Sequence, residues 1–163
     1  MDEQKISASA FAEQLQRISQ IVGDDEEDTR LLHEMATQAH RYLESFRWCI
    51  SIADCWFARG VGGIFALFLF QIVPAHAGVD EWLWVMNGDL PSIYLSFQDA
   101  PSLKEAFNEY VQGMVRWATY VRSGEIEEPD SLPPVDIPET IQVADDLHRR
   151  IQSLERILGP LFS

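Results

Sequence analysis

Residues 64 to 73 read IFALFLFQIV, nine apolar side chains and one glutamine. Taken with the two-residue repeat of an extended chain, Ile64, Ala66, Phe68, Phe70 and Ile72 fall on one face and Phe65, Leu67 and Leu69 on the other. Neither face is polar, so the segment is predicted as a central strand covered on both sides. The wider stretch GVGGIFALFLFQIVPA, residues 60 to 75, is the most apolar in the chain, yet a membrane-spanning helix needs about 20 such residues. Extending it meets Arg59 on one side and His76, Asp80 and Glu81 on the other. A buried strand is the better reading, and no membrane partner is expected.

The flanking segments supply its neighbours. RWCISIADCWFAR, residues 47 to 59, fits both a period of 2 (Trp48, Ile50, Ile52) and a period of 3.6 (Phe46, Ile50, Ala53, Phe57). Its Trp, Ile and Phe content favours a strand, and Gly60 with Gly62-Gly63 supplies a turn into the next one. Downstream, EWLWVM and SIYLSF are separated by NGDLP, in which Asn87-Gly88 signals a tight turn. Pro91 lacks a ladder donor, so the strand beside it begins after it or lies at an edge.

Helical periodicity brackets these strands. Phe11, Leu15, Ile18 and Val22 predict a first helix, with Ser9 as N-cap and Gly23 as its stop. The acids Asp24 to Asp28 suit the positive end of a second helix, whose stripe is Leu31, Leu32, Met35, Ala39, Tyr42, Leu43 and Phe46. Ser102 with Glu105 reads as a capping box for a third helix that ends at Gly124. After a Pro- and acid-rich connection at 124–137, too short to separate two domains, a last helix follows Pro138. The expected fold is a single α+β domain over residues 1–163. It has a central antiparallel sheet of three or four strands, flanked by two N-terminal and two C-terminal helices.

Composition narrows the partners. Among 163 residues, Lys and Arg number 12 against 26 Asp and Glu, a formal charge of −14. Such a chain repels nucleic acid and anionic membranes and favours a basic protein partner. Cys49 and Cys55 lie about 9 Å apart along a helix and about 20 Å along a strand, too far for a bridge. A reducing, cytoplasmic setting fits, and the opening MDEQKISASAF is not expected to act as a secretory signal.

The run WCISIADCWFARGVGGIFALFLFQI followed by GVDEWLWVMNGDLPSIYL is similar to a group of small, uncharacterised bacterial proteins. The resemblance covers roughly Trp48 to Leu158 and implies an α+β arrangement. It implies no activity, and it transfers no functional residue.

Motifs for chemistry are sparse. His33, His40 and Glu44 share one side of the second helix, but His33 and His40 are about 10 Å apart in rise. His40 with Glu44 offers two ligands where zinc takes at least three, so no metal is expected. RGVGG and NGDLP match no phosphate-binding pattern, and no cofactor is expected. Asp54, Cys55 and His76 are the residues that a pocket between sheet and helices would use for catalysis or ligand binding. In that setting Asp54 needs a partner, which Arg47 or Arg59 could supply.

The most unusual regional feature is the 44-residue span from Gly60 to Leu103, which has no Lys or Arg and four acids, Asp80, Glu81, Asp89 and Asp99. Trp82 and Trp84 fall on one face of their strand. Together Asp80, Glu81, Trp82, Trp84 and Asp89 suggest a surface that anchors a basic partner, the alternative being that both tryptophans are core. The leading functional reading is a noncatalytic acidic protein-binding domain, comparable with immunity or antitoxin proteins by size and charge only. The alternative is a small enzyme or ligand-binding domain. A third reading is a homodimer through the seam Leu147, Ile151, Leu154 and Leu158 of the last helix, whose other candidate partner is the first helix.

Overall fold

The computed structural model describes residues 7–124, 132–133 and 135–162. In chain order they form α1 (Ala8–Ala12), β1 (Gln16–Arg17), α2 (Glu26–Glu44), β2 (Cys49–Val61), β3 (Phe65–Pro74), β4 (Trp82–Gly88), β5 (Ile93–Ser96), α3 (Leu103–Ser123) and α4 (Ile141–Leu158). The strands make one antiparallel sheet in the order β1-β2-β3-β4-β5. Most of the connection at 124–137 lies outside the described residues.

β3 takes the central place that its double apolar face requires. Phe65, Leu67 and Leu69 enter a core shared with α3 and α4, while Ala66, Phe68, Phe70 and Ile72 enter a second core shared with α2. Every side chain from Phe65 to Phe70 is at most 1% exposed. Ile64 falls in the turn before the strand and stays half-exposed.

β2 is a strand, and its pairing explains its ambiguous periodicity. The register with β3 shifts between Cys49 and Ser51, between Ile52 and Asp54, and between Phe57 and Arg59. Each extra residue reverses the alternation, so Cys49, Ile52, Cys55 and Phe57 all reach the α2 core.

One expectation needs correction. The sheet has five strands rather than three or four, because the predicted first helix breaks up. α1 ends at Ala12, the chain pairs Gln16 with Phe57 and Arg17 with Trp56, and a short 3-10 turn spans Ile18–Gln20. The cause is that the apolar stripe serves two layers. Phe11 and Leu15 pack in the α3/α4 core, whereas Ile18 and Ile21 pack in the α2 core, so the chain must cross the sheet edge between them. The helices therefore divide as α2 on one face and α1, α3 and α4 on the other.

The apolar stripe of α4 packs inward. Leu147, Ile151, Leu154 and Leu158 are all buried in the chain's own core, against α3 and the sheet. Its main helical contact is with α3, not with the first helix.

Local signals fix the helix ends. Ser102 Oγ caps α3, accepting from Glu105 N at 3.1 Å and donating to the Glu105 carboxylate at 2.9 Å. Gly124 closes α3 in the left-handed conformation at φ 73°. Asp25 caps α2, and Asp28 accepts from Gly62 N at 2.7 Å, which ties the β2–β3 turn to the helix. A Cβ on Gly62 would stand 2.7 Å from Leu31 Cβ, so that approach requires glycine. No helix among the described residues is long and apolar enough to cross a membrane.

Candidate functional site

The residues singled out for catalysis are dispersed. Cys55 pairs with Phe70 on β3, whereas His76 lies beyond the end of that strand at Pro74. Extended geometry alone puts more than about 13 Å of chain between those positions. Cys55 points into the α2 core, and burial, helped by the charge of Asp54, pushes its thiol well above the ordinary range. A thiol held protonated in this way is a poor nucleophile.

Asp54 is paired, though with neither of the expected arginines. Arg17 Nη1 donates to its Oδ2 at 2.7 Å, and Cys55 N donates to its Oδ1 at 2.9 Å. The Arg17 guanidinium also lies 5.6 Å from the Trp56 ring centre. Arg59 instead donates to the Leu161 carbonyl at 2.7 Å. On α2, His40 meets Glu44 at 2.6 Å and His33 meets the Ile21 carbonyl at 3.2 Å. Among the described residues no three His, Cys, Asp or Glu side chains converge as metal ligands.

The tryptophan-and-acid surface also separates. Trp84 is fully buried, and its indole N–H donates to the Ala100 carbonyl at 2.7 Å, so it is a core residue with no face for a partner. Trp82 is half-buried and stacks on Trp56, with ring centres 5.5 Å apart. Asp89 lies past the far end of β4, held by Arg150 of α4. Asp80 and Glu81 lie at the near end, where Glu81 accepts from Gln71 Nε2 at 2.5 Å. The acids therefore mark both ends of one strand rather than a single patch.

What does converge is an aromatic groove at the near end. α2 stops at Glu44, and beyond it Phe46 stacks on Trp48 with ring centres 4.8 Å apart. Tyr94 of β5 lies 4.9 Å from Trp48 and 5.1 Å from Phe46. Trp48, Tyr94, Leu83 and Val79 line a groove of about 360 Å³, with Asp80 and Asp99 at its rim. Among the described residues, neither the Asp80 nor the Asp99 carboxylate joins an ion pair or a hydrogen bond. Their charge is thus available to a ligand.

Both carboxylates and Tyr94 come from the span that lacks Lys and Arg, which is why no cation from that segment neutralises the rim. The aromatic members, however, are Trp48 and Tyr94 rather than Trp82 and Trp84. A usable signal was the alternation of SIYLSF against EWLWVM, since Tyr94 pairs with Val85 on the α2 side of the sheet. Comparison with protein-family models, with curated proteins and with solved structures gives no match.

Proposed function

We propose that this chain is a noncatalytic, acidic protein-binding domain that holds a basic protein, comparable in size and charge with immunity or antitoxin proteins. The observation that carries the reading is the pair of carboxylates, Asp80 and Asp99, which have no ion-pair partner among the described residues and lie beside the half-buried rings of Trp48 and Tyr94. Acids left without internal partners steer a basic surface toward the groove, and aromatic rings at the contact concentrate binding energy. The formal charge of −14 extends that steering over the whole surface. A cytoplasmic setting, in which Cys49 and Cys55 stay reduced, agrees with both being free.

The test is affinity capture from the native lysate at about 0.05 M and about 0.5 M salt, followed by reconstitution from purified components. A stoichiometric complex with a basic protein that weakens as salt rises is expected. A complex only with acidic or neutral proteins, or one indifferent to salt, contradicts the reading.

A further inference from the structure

We infer that the groove formed by Trp48, Tyr94, Asp80 and Asp99 receives an arginine side chain of the partner, an inference that rests on the reading as a binder of basic proteins. Three features of the groove select that group. Trp48 and Tyr94 are tilted 59° to each other, and both are half-buried, so their exposed surfaces border the opening. Aromatic faces attract cations, and a planar guanidinium can stack on them in a way that an ammonium cannot.

The second feature is charge. Asp80 and Asp99 reach the same rim from the β3–β4 and β5–α3 connections, and neither carboxylate has a cationic partner among the described residues. A guanidinium lying on the rings can donate to a carboxylate in forked geometry. Two carboxylates without a third ligand do not make a metal site, and the same charges repel phosphate.

The third feature is the lining. Val79 and Leu83 are apolar, and Leu83 is buried, which suits the methylene stem of a long cationic side chain. The groove between α4 and the Asp89 turn differs, because its Asp89 and Asp146 are already paired with Arg150. Nothing about that groove identifies what would cover it.

The inference is tested on the full chain by NMR titration with two small probes, N-acetyl-arginine amide and N-acetyl-lysine amide. The signal followed is the Trp48 indole N–H, assigned through Trp48→Phe. A saturable shift is expected, stronger with the arginine probe, and Asp80→Asn/Asp99→Asn is expected to weaken it about tenfold or more. No Trp48 shift at about 50 mM arginine probe, or the same affinity in the double variant, overturns the inference. A salt-sensitive complex with a native basic protein that survives the double variant also overturns it, while leaving the broader reading intact. Arginine binding in the groove without any basic protein partner in the lysate overturns the broader reading alone.

Discussion

Trp48 and Tyr94 are 46 positions apart in sequence and 4.9 Å apart in space, joined at the end of the sheet where α2 no longer covers it. Phe46 fixes both rings from behind, stacking on Trp48 and meeting Tyr94 at 73°. The groove is therefore built on packed aromatic side chains rather than on loops alone, and its walls are ordered before any ligand arrives.

The central strand sets the first prediction. Phe68 is 0% exposed in the α2 core, with its ring centre 5.8 Å from that of Phe57. Phe68→Ala is expected to destabilise the protein by about 3 to 5 kcal/mol, through lost burial and the cavity left behind. Urea unfolding with an unchanged slope checks this, and a loss below about 1 kcal/mol would contradict the packing.

The turn between β2 and β3 sets the second. The Asp28 carboxylate accepts from Gly62 N at 2.7 Å and from Asp24 N at 2.8 Å. Asp28→Ala removes both bonds and a favourable charge in the first turn of α2, with an expected loss of about 1 to 3 kcal/mol. Hydrogen exchange at the Gly62 amide should rise with it. An unchanged Gly62 amide would show that the clamp is not formed in solution.

Buried acids set the pH dependence. Burial raises the thiol of Cys55 and the phenols of Tyr42 and Tyr110 above their ordinary values. In the unfolded chain these groups ionise near their ordinary pKa values, about 8.5 for the thiol and about 10 for the phenols, while the native state keeps them protonated. The unfolded state then binds fewer protons, so stability is full below about pH 8.5 and falls as pH rises beyond it. Each fully ionised group contributes at most about 1.4 kcal/mol per pH unit. Urea midpoints at about pH 7, 9 and 10.5 should fall in that order, and iodoacetamide should label Cys55 only on unfolding. Rapid labelling of native Cys55 at neutral pH would contradict its buried placement.

Most of the framework is legible in the sequence because its signals are local. The two apolar faces of 64–73, the Ser102–Glu105 cap, Gly124 and the α4 stripe each report one element in one environment. The misread segment serves two environments at once. The stripe Phe11, Leu15, Ile18 and Val22 is helical in spacing, yet its members divide between two cores and Val22 is 70% exposed. In β2, legible as a strand from its Trp, Ile and Phe content, three register shifts account for the mixed periodicity. The groove was half legible. The span without basic residues points to Asp80, but to Asp89 rather than Asp99 for the surface; only the fold brings Trp48 and Asp99 to it, and only the fold shows that Trp84 faces inward.

The α4 seam gives the fourth prediction. Leu154 is 7% exposed within the chain's own core, so Leu154→Asp buries a charge without a partner. A loss of several kcal/mol is expected, with the sedimentation mass of the folded fraction unchanged. A drop from dimer mass to monomer mass without loss of stability would show instead that the seam joins two subunits.

The claim that the groove is the contact surface is tested most directly by comparing the groove carboxylates with equally charged residues elsewhere. Glu13 and Glu155 are exposed and join no ion pair among the described residues, so Glu13→Gln/Glu155→Gln matches the charge change of Asp80→Asn/Asp99→Asn. The measurement is the affinity of a fluorescent oligoarginine peptide of about six residues for all three proteins at about 0.15 M salt. The groove variant is expected to lose about tenfold or more and the control less than about twofold. Equal losses in the two variants would mean that net charge alone draws the peptide, and would contradict a contact surface at Trp48 and Tyr94.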